Sequence, residues 1–121
     1  MVDSIQNLVC PACNKRMTKF FIPSAKVNVD ICMDGCGGIF FDNRELENFV
    51  GEGKDADKIL QLFVGKTFTP ADQKEKRVCP VCGTDMVKNY VNQAPAVQID
   101  ECYRCGGKFL DHGELEKISK K

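Results

Sequence analysis

The sequence predicts a small α+β fold made twice over: two three-stranded antiparallel sheets, each followed by a short helix, joined by a partly helical linker. Three observations predict it. All eight cysteines fall into two copies of one spaced pattern. The residues around them repeat with an offset near 69, as in Val9-Cys10-Pro11 against Val78-Cys79-Pro80. Between the cysteine pairs, apolar residues alternate with polar ones, the period of a half-buried strand.

The first copy is predicted over residues 8–50. Cys10-Pro11-Ala12-Cys13 opens it and Cys32-Met33-Asp34-Gly35-Cys36 follows. Paired knuckles at this separation read as a four-thiolate metal site, for which zinc is the first choice. Between them, Met17 to Ile22 reads as a strand, Pro23-Ser24-Ala25 as a turn, and Val27, Val29 and Ile31 as the inward positions of a return strand. Ile39-Phe40 supplies a third strand. Three such strands with metal at one end make a zinc ribbon. Asp42-Asn43-Arg44-Glu45 has capping-box spacing, and Leu46, Phe49 and Val50 then give the following helix an apolar face.

Residues 51–76 form the predicted linker. Gly51-Glu52-Gly53 breaks the chain. Asp55 or Asp57 caps an amphipathic helix over 55–64, with Ile59, Leu62 and Phe63 at helical spacing and Gly65 as its stop. That face is expected to pack on a ribbon. Thr67 to Arg77 is polar and reads as a linker, with Pro70 a candidate opener of one more short helix.

The second copy is predicted over residues 77–119. It has Cys79-Pro80-Val81-Cys82, a strand from Met86 to Val91, a turn at Asn92-Gln93-Ala94-Pro95, and a return strand with Val97 and Ile99. Cys102-Tyr103-Arg104-Cys105 then leads to a third strand at Lys108-Phe109. Asp111-His112-Gly113-Glu114 caps a helix whose apolar face holds Leu115 and Ile118. His112 corresponds to Asn43 and is expected to be a solvated helix residue.

Each copy is about 45 residues, a size that rarely holds a core without a staple. Four thiolates supply one and fill the coordination sphere, so the metal is expected to be structural and the protein not an enzyme. Gly37, Gly83 and Gly106 stand where a knuckle needs left-handed backbone, and Asn14 stands at the fourth such place. Iron in a rubredoxin-like redox site is the competing metal, because thiolate ligands alone do not separate the two. Disulfides are the competing use of eight cysteines. The N-terminus lacks the basic and apolar regions of a secretory leader, so the expectation is free thiolates in a reducing, cytoplasmic compartment.

The 17 basic and 17 acidic side chains cancel. Two zinc–tetrathiolate sites would take the sum to about −4. That weighs against a nucleic-acid partner, which calls for lysines and arginines free to neutralise phosphates. The candidates for such contact lie in the second half: Lys76, Arg77, Lys88, Arg104, Lys108 and the C-terminal Lys117, Lys120 and Lys121. A protein partner meeting Met33-Asp34 and Tyr103-Arg104 at the knuckle tips is the preferred expectation. No stretch has the roughly 18 consecutive apolar residues of a membrane span.

The run Ile99-Asp100-Glu101-Cys102-Tyr103-Arg104-Cys105-Gly106-Gly107-Lys108-Phe109-Leu110-Asp111-His112-Gly113-Glu114-Leu115 resembles the transcription factor IIB-type zinc-ribbon family. With Cys79-Pro80-Val81-Cys82 the likeness covers nearly all of 77–118, and more loosely 8–50. The resemblance implies two ribbons, with Cys10, Cys13, Cys32 and Cys36 on one zinc ion and Cys79, Cys82, Cys102 and Cys105 on a second. It also implies an association with transcription. The chain departs from the family pattern in two ways. Three residues, not two, separate Cys32 from Cys36, so the first site is expected to be the weaker. Phe40 and Phe109 stand where the family often has tryptophan.

Overall fold

A computed structural model describes residues 8–23, 26–42, 45–46, 49, 56–72, 74–91 and 97–119. Its strands are β1 (Thr18–Ile22), β2 (Val27–Ile31) and β3 (Ile39–Phe41) in the first copy, and β4 (Val87–Val91), β5 (Val97–Glu101) and β6 (Lys108–Leu110) in the second. The helices are α1 (Ala56–Leu60), continued by a 3₁₀ turn at Gln61–Phe63, and α2 (Glu114–Ser119). Both predicted triplets of strands are present. The predicted turns at 24–25 and 92–95, the helix cap at Asp55, and Val50 lie outside the described residues.

The two ribbons are not separate sheets. They join edge to edge into one six-stranded antiparallel sheet, in the order β1-β2-β3-β6-β5-β4. The junction pairs Ile39 with Leu110, Phe40 with Phe109 and Phe41 with Lys108. The equivalent residues Phe40 and Phe109 thus face each other, and the two flanking pairs are related by a local twofold axis through them. The union removes two strand edges that would otherwise expose unpaired backbone.

Register and the two-residue strand period sort the side chains onto two faces. One face carries Ile22, Val29, Ile31, Ile39, Phe41, Val97, Ile99 and Leu110, covered by Leu46, Phe49, Ala56, Ile59, Leu115 and Ile118. Leu46, Phe49, Ile59, Leu115 and Ile118, apolar positions read from the sequence, are therefore part of the lid of this core, and Ile59 is fully buried there; the helix predicted after Asp42 lies largely outside the described residues. The opposite face carries Phe40 and Phe109, surrounded by Met17, Met86 and the cysteines.

Residues 66–70 are irregular, and no helix opens at Pro70. The segment is nonetheless anchored. Thr69 N–H donates to the Gly35 carbonyl (3.0 Å), Phe68 packs edge-on to Phe63 at 5.4 Å between ring centres, and Arg77 is buried.

Candidate metal centres

Each site is assembled by the same backbone scaffold. In the first knuckles, Cys10 N–H donates to the Lys15 carbonyl and Asn14 N–H to the Cys10 carbonyl; Cys79, Thr84 and Gly83 repeat this. In the second knuckles, Cys32 N–H donates to Gly38 and Gly37 N–H to Cys32, matched by Cys102, Gly107 and Gly106. These tight turns need left-handed backbone after the second cysteine of a pair. Asn14 (φ 67°), Gly37 (76°), Gly83 (78°) and Gly106 (83°) all adopt it, as the sequence predicts.

Cys10, Cys13, Cys32 and Cys36 converge, as do Cys79, Cys82, Cys102 and Cys105, with all four sulfurs of each set within 4.8 Å of one another. Closest approaches are Cys10–Cys36 at 3.5 Å and Cys13–Cys32 at 3.4 Å, against Cys79–Cys105 at 3.5 Å and Cys82–Cys102 at 3.4 Å. A tetrahedral ion with Zn–S arms of ~2.3 Å requires sulfurs about 3.8 Å apart, so each quartet fits a zinc ion with a small outward adjustment. Every sulfur–sulfur distance far exceeds the ~2.05 Å of a disulfide.

The extra residue in the first site's second knuckle does not open its geometry. Gly35 absorbs it: a Cβ there would lie 2.8 Å from Cys13 Sγ and 2.9 Å from Cys32 Sγ. Sulfur spacing matches that of the second site, and three of the four ligands are buried against two in the other set.

Four thiols at this spacing cannot titrate independently. A hydrogen bond from Cys10 holds Cys36 down at about 6, while the same bond, with burial, pushes Cys10 up. Burial raises Cys32 to about 11 and Cys79 to about 12. Thr84 Oγ1 lies 3.3 Å from Cys82 Sγ, and hydrogen bonding from that hydroxyl and the Thr84 amide holds Cys82 at about 6. In each set one thiol is thus the readiest to ionise, and a bound cation would favour loss of the remaining protons. Backbone amides temper the thiolates: Ala12 N–H donates to Cys10 Sγ and Cys105 N–H to Cys102 Sγ, both at 3.4 Å.

The glutamate half of each capping box forms as read from the sequence. Asp42 N–H donates to Glu45 Oε1 (3.1 Å) and Asp111 N–H to Glu114 Oε1 (2.8 Å). Burial pushes both glutamates up to about 7.

Arg77 corrects the sequence reading. Counted among the surface cations, it is 2% exposed. Its Nη1 donates to Asp100 at 2.9 Å and Asp111 at 2.7 Å, its Nη2 donates to the Asp72 carbonyl, and its guanidinium lies 5.4 Å from the centre of the Phe109 ring. Burial works to lower its pKa, but the two carboxylates outweigh burial and hold it above the ordinary value. The repeat held the signal: Arg77 occupies the place of the apolar, half-buried Leu8. Lys88 and Lys108 are likewise engaged, with Asp100 (2.8 Å) and Glu101 (3.7 Å). Arg104 is exposed; Lys120 and Lys121 lie outside the described residues.

His112 is exposed but is not a bare helix residue. Its ring packs against Phe63 and Phe68, at 5.1 and 4.7 Å between centres, beside Gly37 of the first site. Met33, expected at an exposed tip, is partly buried against the core, whereas Tyr103 is 70% exposed.

Residues 9–50 and 78–121 match the family described as transcription factor zinc-finger, the transcription factor IIB-type zinc ribbon. No curated protein and no solved structure matches the chain.

Proposed function

Because the two matched stretches make up well over half of the sequence, the chain belongs to the transcription factor zinc-finger family, and from that premise we propose that it is a non-enzymatic adaptor, a double zinc ribbon that holds two structural zinc ions and docks onto another protein in association with transcription. One observation carries the reading: all eight cysteines are spent on two quartets of matching sulfur spacing. A tetrahedral ion held by four thiolates keeps no position for water or substrate, which suits a structural metal. Zinc in such sites contributes roughly 10–16 kcal/mol to folding at neutral pH. What remains for function is surface, including Tyr103 and Arg104 at the tip of the second site and the exposed Asp34 near the first. The ion pairs of Lys88 and Lys108 and the burial of Arg77 favour a protein partner over nucleic acid.

The test combines metal analysis with affinity capture. The intact chain is expected to carry two zinc ions, to be colourless, and to retain a protein from host extract after nuclease treatment. A Cys102→Ser variant is expected to lose that protein. A red, iron-loaded chain, or retention that nuclease abolishes, contradicts the proposal.

A further inference from the structure

We propose that the β1 edge of the sheet, with the groove beside it, is the docking site for an extended, acidic and apolar segment of a partner protein, which adds to the sheet as a further strand. The inference rests on the protein-interaction reading above and gives it a place and a chemistry.

β1 ends the sheet, and among the described residues no strand lies beyond it. A terminal strand offers a row of backbone N–H and C=O groups to any extended chain. Proteins commonly guard such an edge with charge, proline or a bulge. Here the strand ends in Phe20-Phe21-Ile22, with Phe21 59% exposed. Lys19, the one charge within β1, is turned onto Asp30 at 3.0 Å and does not guard it. Alongside runs a groove of about 370 Å³ lined by Phe20, Phe21, Ile22, Pro23, Leu62 and Lys58. Lys58 is exposed and makes no ion pair among the described residues.

The repeat supplies an internal comparison. At the opposite edge, β4 has Asn89 in place of Phe20 and Tyr90 in place of Phe21. The Asn89 amide is occupied by Glu101 and Tyr103. β4 also exposes Tyr90 (68%) and Val87 (42%), so what sets the β1 edge apart is the Phe20-Phe21 pair with the groove beside it.

Charge selects the occupant. Residues 14–26 carry Lys15, Arg16 and Lys26, besides the Lys19 paired with Asp30, and no acid, whereas the corresponding 83–95 carry Asp85 and Lys88. An acidic segment complements this edge. Two copies of the chain pairing through β1 would bring the same cations together, which disfavours self-association. A nucleic acid would answer the cations but leave the strand's backbone row and the apolar groove unfilled. An added strand answers all three: its backbone pairs with β1, alternate apolar side chains enter the groove, and acids meet Lys58 and Lys26.

The probe is a labelled ten-residue peptide alternating isoleucine or valine with aspartate or glutamate, titrated into the zinc-loaded full chain. Binding is expected to perturb backbone amides of Thr18–Ile22 and to weaken about tenfold in Phe21→Ser and in Lys58→Glu, with Tyr90→Ser, on the other edge, unchanged. Circular dichroism and zinc content confirm that the variants are folded. No peptide binding, or equal loss in Tyr90→Ser, overturns the site. So does tighter binding of the lysine-substituted peptide or of an oligothymidylate, or concentration-dependent dimerisation through Phe21. If Phe21→Ser and Lys58→Glu both retain the protein captured from extract, this inference fails while the adaptor function stands. If the unaltered chain captures none, the adaptor reading itself fails.

Discussion

Gly35 decides how the first site accommodates its extra residue. A C-x3-C loop has one residue too many for the turn that a C-x2-C loop makes, and the surplus has to go somewhere. It goes inward, with Gly35 lying against the sulfurs of Cys13 and Cys32. A methyl group at 2.8–2.9 Å from both sulfurs has no room unless a ligand moves. We therefore expect Gly35→Ala to weaken zinc at the first site at least about tenfold while leaving the second unchanged, read by competition against a colorimetric chelator. Equal affinities at both sites would show that the knuckle gives way instead. Gly83, where a Cβ meets nothing, is the control: Gly83→Ala carries only the backbone cost of its positive φ, of order 1 kcal/mol. The sequence sorted the eight cysteines into the two sets that converge and marked the four left-handed positions, because knuckle geometry and backbone sterics act locally. It did not reveal that Gly35 faces sulfur or that Arg77 is buried, because both depend on neighbours far along the chain. Arg77 meets Asp100 and Asp111, 23 and 34 residues away.

At the scale of elements, strands and caps were legible and their partners were not. Alternation in Val27, Val29 and Ile31 identifies β2, and the D-x-x-E spacing identifies both capping boxes, since each is fixed by near neighbours. What the sequence leaves open is the burial that gives these caps a pH dependence. Glu45 and Glu114 sit near 7 in the folded protein, raised by burial from an ordinary 4.5. A carboxyl with a raised folded pKa binds more protons folded than unfolded between those values. Its contribution to stability is therefore fully present below about 4.5 and is lost as pH rises through about 7. Zinc ligation runs the opposite way, because thiolates must shed protons to bind. The difference between two proteins separates the effects. Glutamine keeps the Oε1 acceptor for the cap amide but never ionises. We expect the melting temperature of Glu45→Gln/Glu114→Gln, relative to the parent protein at saturating zinc, to rise by roughly 3–5 °C between pH 5.5 and pH 8. A difference that does not change with pH would place both carboxylates in a more solvated setting than the one described.

For the whole molecule, the question is whether two ribbons make two folding units or one. Their cysteine sets are independent, and the repeat by itself suggests two beads on a linker. The sheet joins them: β3 pairs with β6, and the rings exchange places across the junction. A Cβ on Gly107 would strike the Phe40 ring and a Cβ on Gly38 would strike the Phe109 ring, so each ribbon's second knuckle is floored by the other ribbon's phenylalanine. This explains why both copies carry a glycine doublet: the first glycine turns the backbone, and the second makes room for the partner ring. Phe40 and Phe109 are both fully buried, which neither ribbon achieves alone. Loss of one metal should therefore be felt at the other. In Cys102→Ser the second ribbon loses its staple, Gly107 no longer holds its place under Phe40, and β3 loses its partner strand. We expect amides of Ile39–Phe41 to lose at least about tenfold in hydrogen-exchange protection, and the first site's zinc affinity to fall, although none of its four ligands has changed. A first ribbon whose exchange rates and metal affinity survive Cys102→Ser intact would make the two ribbons separate folding units. The coupled outcome would make the metal-and-ring core on this face of the sheet a single cooperative unit, held at both ends by the cysteine quartets and in the middle by Phe40 and Phe109.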